Sequence, residues 1–236
     1  MRVAFGLLIH RVTVRMHKVA GVLFDVDGTL VDSTYLHATS WWQAFRQFDL
    51  DVPMARIHRA IGMGSDHILA HLLGDDHDRS HDDAIVDAHS ALQAANWPRL
   101  RPTRGAKDLL SACSRRGLRV VLASSAAADE LAALRRAIDA DDIIDTVTTA
   151  DDVDSSKPDA DIVYVALRKA GLEPAQAVFV GDAVWDVYAC TKAGIPCITV
   201  TCGGTSEAEL RAAGAVDVHE DPAAILHAFD RTTLAA

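Results

Sequence analysis

From Gly21 onward, short apolar runs alternate with longer stretches whose apolar positions recur every three to four residues. Gly21–Asp25, Leu118–Ala123, Val147–Thr149, Ala177–Val180 and Ile195–Thr199 are runs of the first kind, and Val216 and Val218 alternate like one more. They read as strands, because strands buried on both faces carry near-continuous apolar residues. Between them, Ala106–Arg116, Asp129–Ile138, Asp159–Ala170 and Val184–Ala193 carry the helical period. Gly117, Gly171 and Gly194 follow three of these helices, where a left-handed C-cap is expected. Ser206 and Glu209 have capping-box spacing, Gly214 closes the helix they open, and Pro222 is placed to start a last one. Strands alternating with helices predict βαβ crossovers and an α/β fold: a Rossmann-like parallel sheet covered on both faces. Ligands of such sheets bind at the carboxyl ends of the strands. Asp25, Ser124 and Asp182 all fall at such ends.

The stretch from Ser33 to Leu100 breaks this rhythm. It offers no strand, only the helical segments Thr34–Phe48, Ala55–Ile61, Asp66–Leu73 and Asp83–Asn96, with Pro98 and Pro102 marking its exit. The expected organisation is therefore a core made of residues 1–32 and 101–236, with residues 33–100 inserted as a helical cap. Met1–Arg15 precede the first strong strand. Val3–Ile9 is too short an apolar run for a signal peptide and lacks a small-residue cleavage site, so residues 1–15 read as an extension or an upstream start before Met16.

Composition narrows the partners. The formal net charge of −10 disfavours nucleic acid and anionic lipid, and obliges any phosphate site to carry local positive charge. No run is long enough to span a membrane. Cys113, Cys190, Cys197 and Cys202 form no C-x-x-C pair and read as free thiols of a reducing, cytoplasmic compartment.

The chemistry begins at Asp25-Val26-Asp27-Gly28-Thr29, where the chain leaves an apolar strand and Gly28 permits a turn. This segment resembles the D-x-D-G-T nucleophile motif of the haloacid dehalogenase superfamily. Ser124, at a strand end, resembles that superfamily's second motif, Lys157-Pro158 its third, and Gly181-Asp182 with Asp186 its fourth. The insertion falls where members with a C1 cap carry theirs, and the subgroup it is most similar to contains phosphoglycolate phosphatases and β-phosphoglucomutases. The resemblance implies Asp25 as nucleophile, Asp27 as acid–base, and Lys157 holding Asp25 and the phosphoryl oxygens. It implies Mg²⁺ on Asp25, Asp182, the main-chain carbonyl of Asp27 and, in support, Asp186. Ser124, Ser125, Gly28 and His37 are implied as substrate-binding positions. Pro158 is expected to open a helix whose N-terminus favours an anion. The second aspartate favours phosphoryl transfer over carbon–halogen cleavage.

His37 and Trp41 share a helix face; His37 suits either packing or the site, and Trp41 reads as packing. Ile61–Ser65 resembles the cap loop that faces the active site in this subgroup, and it lacks the basic residues with which mutases hold a second phosphate. His67, His71, His77, His81 and His89 read as solvated polar surface, and Arg56 and Arg59 as an exposed helix face. The expected function is Mg²⁺-dependent hydrolysis of a small phosphorylated metabolite through an aspartyl-phosphate, by a monomer or homodimer. A phosphomutase and a non-catalytic binding protein are the alternatives.

Overall fold

The computed structural model describes residues 18–235; the reading of residues 1–15 as an extension lies outside them. In chain order the elements are β1 (Gly21–Phe24), α1 (Thr34–Gln47), α2 (Met54–Ala60), α3 (Ser65–Leu73) and α4 (Asp82–Ala94), then α5 (Ala106–Arg115) and β2 (Arg119–Ala123). There follow α6 (Ala128–Ile138), β3 (Thr146–Thr148), α7 (Asp161–Ala170), β4 (Ala177–Gly181), α8 (Val184–Ala193), β5 (Cys197–Val200), α9 (Glu207–Ala213), β6 (Asp217–His219) and α10 (Pro222–Ala228).

The six strands form one parallel sheet in the order β3-β2-β1-β4-β5-β6. This is the Rossmann-like α/β fold the alternation predicted. Side chains alternate through it, because successive Cβ atoms of a strand point to opposite faces. Val22, Phe24, Val120, Leu122, Val178 and Val180 pack on one face beneath α5, α6 and α10. Leu23, Val121, Ala123 and Phe179 pack on the other beneath α7 and α8. Both layers are nearly water-free, and apolar burial of this kind contributes roughly 25 cal/mol per Å². β1 sits at the middle, and the chain crosses away from it in both directions. That is the topological switch point at which such sheets bind ligands.

Helices α1 to α4 have a separate apolar centre of their own, with Trp41, Phe45, Ile57, Ile68, Leu72 and Ile85 among its residues. The chain leaves for this insertion and returns from it side by side. Val31 pairs with Pro102 in an antiparallel bridge. Asp32 donates its amide to Arg101 O at 2.9 Å, and Thr103 donates to Leu30 O at 2.9 Å.

Most expected elements appear with ends displaced by a residue or two. One displacement bears on the site. Pro158 does not open α7, which starts at Asp161, so no helix N-terminus lies directly behind Lys157. Among the described residues, no helix is long and apolar enough to cross a membrane.

Candidate active site

Asp25 follows the last residue of β1 and still donates its amide to Val180 O at 2.9 Å, so the sheet fixes its position. The chain then turns sharply through Gly28, whose φ of 78° lies in the left-handed region. A Cβ there would collide with the Asp182 carboxylate and the Thr34 hydroxyl. Asp182 comes off the end of the neighbouring strand, β4. Together with Asp186, on the first turn of α8, it completes a cluster of three buried carboxylates whose oxygens lie within 4.8 Å of one another.

One cation serves this cluster directly. Lys157 Nζ, buried, donates to Asp25 Oδ1 at 2.5 Å and to Asp186 Oδ1 at 2.9 Å. Asp186 Oδ2 accepts the amides of Asp182 and Ala183 at 3.2 and 3.0 Å. Asp186 therefore caps its own helix while it pins the lysine. Gly181 belongs to the same arrangement, since a Cβ there would run into the Asp186 carboxyl. Thr29 donates to Asp182 Oδ1 at 3.0 Å.

Three carboxylates against one lysine leave negative charge uncompensated. Burial, more than the attraction of Lys157 can offset, raises the Asp25 carboxyl to about 7. Burial and the neighbouring Asp25 and Asp186 hold Asp182 well above the usual carboxylate range. Lys157 is shifted upward despite burial, because two carboxylates face it. A compact set of hard oxygen donors with excess negative charge is the donor set that suits Mg²⁺.

Asp27 points elsewhere. Its Oδ1 accepts from Ser33 Oγ at 2.5 Å and lies 3.1 Å from His37 Nε2. Burial pushes its carboxyl up, but the adjacent His37 outweighs this and holds it below the usual carboxylate range. Burial would discharge His37, yet Glu130 at 3.5 Å and Asp27 raise the imidazole to about 9. His37 Nδ1 faces His89 Nε2 at 3.3 Å. A charged His37 donates from both nitrogens, so His89 accepts as the neutral ring, consistent with burial pulling His89 well below the ordinary histidine value.

Asp25, Asp27, His37 and Lys157 line a cavity of about 220 Å³ together with Trp41, Ile61–Ser65, His89, Ser125 and Glu130. Of the positions implied for substrate, Ser125 and His37 reach this cavity, whereas Ser124 and Gly28 do not line it. Ser124 Oγ accepts the amide of Ala126 at 3.1 Å, and the Gly28 amide is spent on Val31 O at 2.8 Å. Trp41 packs, stacked on His89 at 4.0 Å between ring centroids, and also borders the cavity.

The expectation that the insertion's histidines are solvated surface fails at His89, whereas His71 is exposed and His67 half-buried. His89 is buried against Trp41, not solvated, because it shares one stripe of α4 with the buried Ile85 and Gln93. His67 Nε2 meets Ser155 Oγ at 3.0 Å, and His71 meets the edge of Trp185 at 5.3 Å between centroids. Arg59 is exposed as expected and pairs with Glu209 at 3.0 Å. Two groups escaped the sequence reading altogether. Ser33 belongs to the quoted motif's continuation and could have been singled out, while Glu130 looks like an ordinary acidic residue of a helix's first turn.

The fold and the strand-end acids define a class, and comparison with known proteins agrees. Residues 22–200 match the haloacid dehalogenase-like hydrolase family, and the chain belongs to it. A validoxylamine A 7'-phosphate phosphatase of Streptomyces hygroscopicus subsp. limoneus is 26% identical over 193 residues, 82% of this chain and 90% of that one. A phosphoglycolate phosphatase of Yersinia pestis is 29% identical over 197 residues, 80% of this chain and 84% of that one. A hydrolase from Pseudomonas syringae superimposes with a TM-score of 0.86 at 30% identity, covering 90% of this chain and 98% of that one. The relatives thus include a phosphoglycolate phosphatase, and the fold is shared, at 24% identity and a TM-score of 0.84, with a putative β-phosphoglucomutase from Bacteroides vulgatus.

Proposed function

We propose that the protein is a phosphatase that hydrolyses small phosphate monoesters through a phosphate carried on Asp25. The observation that supports this most is the convergence, at the switch point of the sheet, of Asp25 with Lys157 and two further buried carboxylates. Phosphoryl transfer calls for a positioned nucleophile and for neutralisation of the outer oxygens. Asp25, Asp182 and the carbonyl of Asp27 would hold Mg²⁺, with Asp186 supporting from behind through Lys157 and the backbone amides of Asp182 and Ala183. Bound there, the ion would supply charge neutralisation for the phosphoryl oxygens and for Asp25.

The chain's own groups account for the protons. An Asp25 oxygen forms the new bond to phosphorus as the ester oxygen leaves. That oxygen takes the proton that the imidazolium of His37, 3.1 Å away, passes through the Asp27 carboxyl, which leaves Asp27 a carboxylate and His37 neutral. As a carboxylate, Asp27 then takes a proton from the water that releases phosphate from Asp25. Asp27 is held in the base form in the resting arrangement, which suits the second half of this cycle.

Hydrolysis is favoured over a mutase reaction. Among the described residues lining the cavity, Lys157 is the one lysine or arginine, so nothing basic in Ile61–Ser65 waits for a second phosphate. A retained set of Asp25, Asp27, Lys157 and Asp182 also exceeds what a binding protein requires. The test is release of inorganic phosphate from small monoesters with Mg²⁺ and with chelator, using the native chain and Asp25→Asn. Release that stops with chelator and in the variant is expected. Undiminished release by Asp25→Asn would reject the nucleophile, and full activity in chelator would reject the metal.

A further inference from the structure

The cavity that faces Asp25 has a charge pattern that bears on the leaving group. Lys157 is matched by Asp25 and Asp186. His37 lies between Asp27 and Glu130, at 3.1 and 3.5 Å. Each cation facing the cavity therefore already has its counter-ions on the protein. The carboxyl of Glu130, on the first turn of α6, lines the wall, and its Oε1, 3.5 Å from His37 Nε2, is buried and makes no hydrogen bond within the protein. Ser125 Oγ, on the same wall, is also buried and unpartnered. Polar groups left in that condition cost stability unless something supplies the missing bond. A leaving group with a carboxylate or a second phosphate would meet the Glu130 carboxyl with no unmatched cation to offset it. One with a hydroxyl or an ammonium would bring a donor to the unbonded Glu130 oxygen.

On the phosphatase reading above, we infer that Glu130 is a specificity-determining residue that selects leaving groups bearing a hydrogen-bond donor and excludes those bearing a second anion. The substrate class is the monophosphate of a polyol or amino alcohol, as opposed to a phosphorylated acid or a bisphosphate. The cavity's 220 Å³ suits a short leaving group.

Three two-carbon esters differ only in the distal group: 2-hydroxyethyl phosphate, phosphoethanolamine and phosphoglycolate. Their kcat/KM values, each divided by that for 4-nitrophenyl phosphate, are measured on the native chain, Glu130→Gln and Glu130→Ala. These ratios do not depend on how much of a variant folds. The native chain is expected to favour the hydroxyl or ammonium ester over phosphoglycolate by roughly 10–100-fold, the worth of a hydrogen bond to a charged group. The order of the first two esters tells which donor the site prefers. Glu130→Ala should erase that preference, and Glu130→Gln, which keeps an acceptor but loses the charge, should raise the phosphoglycolate ratio. Native preference for phosphoglycolate overturns the inference. So does a preference among the three alkyl esters that Glu130→Ala leaves unchanged, because a carboxyl that serves only to hold His37 would slow these three alike. Hydrolysis of 4-nitrophenyl phosphate with either result leaves the phosphatase reading standing, whereas no release from any ester rejects both.

Discussion

The floor and the roof of the cavity are built by opposite means. The floor is Asp25, Asp182, Asp186 and Lys157, whose backbones are fixed by strand ends and a helix start and whose charges do not balance. The roof is His37, His89, Trp41 and the loop Ile61–Ser65, carried by the insertion and met by Glu130 from the sheet layer. Its charges come closer to balance: His37 faces two carboxylates, Asp27 and Glu130, where Lys157 faces a cluster of three. The difference teaches that the floor has unmet binding capacity while the roof shapes and discriminates. Positions that would be least comfortable in the empty protein are those assigned to the chemistry, as expected where stability is traded for function.

The sharpest way to break this division is Asp27→Asn, because Asp27 belongs to both regions. The rate should fall by about 10²–10⁴-fold, as for loss of an acid–base group. With an aryl or acyl phosphate, whose leaving group needs little protonation, phosphate should accumulate on Asp25 and appear as added mass on the intact protein. Normal turnover of alkyl phosphates would remove Asp27 from the mechanism.

Next in size is Lys157→Met, which strips the floor of its cation. Removing one partner of a buried ion pair costs about 3–5 kcal/mol. Urea denaturation of the variant should show a loss of that order, and a loss below about 1 kcal/mol would mean that Lys157 does not hold the floor together.

A smaller effect of the opposite sign is expected from Asp182→Asn. Its carboxyl is buried beside two others, so removing its charge should stabilise the metal-free protein by about 1–2 kcal/mol, the size common for relieved active-site strain. The same asymmetry predicts the pH response. Asp25, raised from 3.8 to about 7 in the folded chain, gives a folded state that binds more protons than the unfolded one. Metal-free stability should therefore decline as pH rises from about 4 to 7. His37, raised from 6.5 to about 9, contributes stability present below 6.5 and lost as pH climbs through 9. Thermal melts in chelator should show both slopes, with His37→Gln flattening the upper one and leaving the lower.

The smallest expected effect concerns how the roof is attached. Ser156 Oγ accepts the Gly64 amide at 3.0 Å and also contacts the Asp66 carboxylate, immediately before Lys157. Ser156→Ala removes both contacts and should cost about 1 kcal/mol, because the half-exposed Asp66 carboxylate regains water, and it should raise KM more than it lowers kcat. Equal loss in both parameters would tie this contact to the floor.

The same division separates what was legible in the sequence from what was not. Strand ends announce themselves, because an acid or hydroxyl after an apolar run breaks the pattern at one identifiable position. Asp25 and Asp182 were placed that way. His89 and Glu130 were not, because they are polar residues on helices otherwise rich in charge. His89 could have been found: Ile85, His89 and Gln93 recur every fourth residue, one stripe along α4. Glu130 had no such signal, since its neighbours His37 and Asp27 lie far away along the chain. The expected helix start at Pro158 failed for a related reason. Proline marks where a helix can begin, but three further residues were needed before α7 did begin.

The paired passage at Val31 and Pro102 has a consequence for how such a protein can diverge. To the sheet layer, everything between those two residues is one closed excursion whose ends are already tied. Lengthening or exchanging such an excursion changes the cost of closing it only slowly, by about 0.6 kcal/mol per doubling of length. The insertion is in effect a graft on a fixed stem. Lineages can rewrite the part that chooses the ester while the residues that break it stay where the sheet holds them.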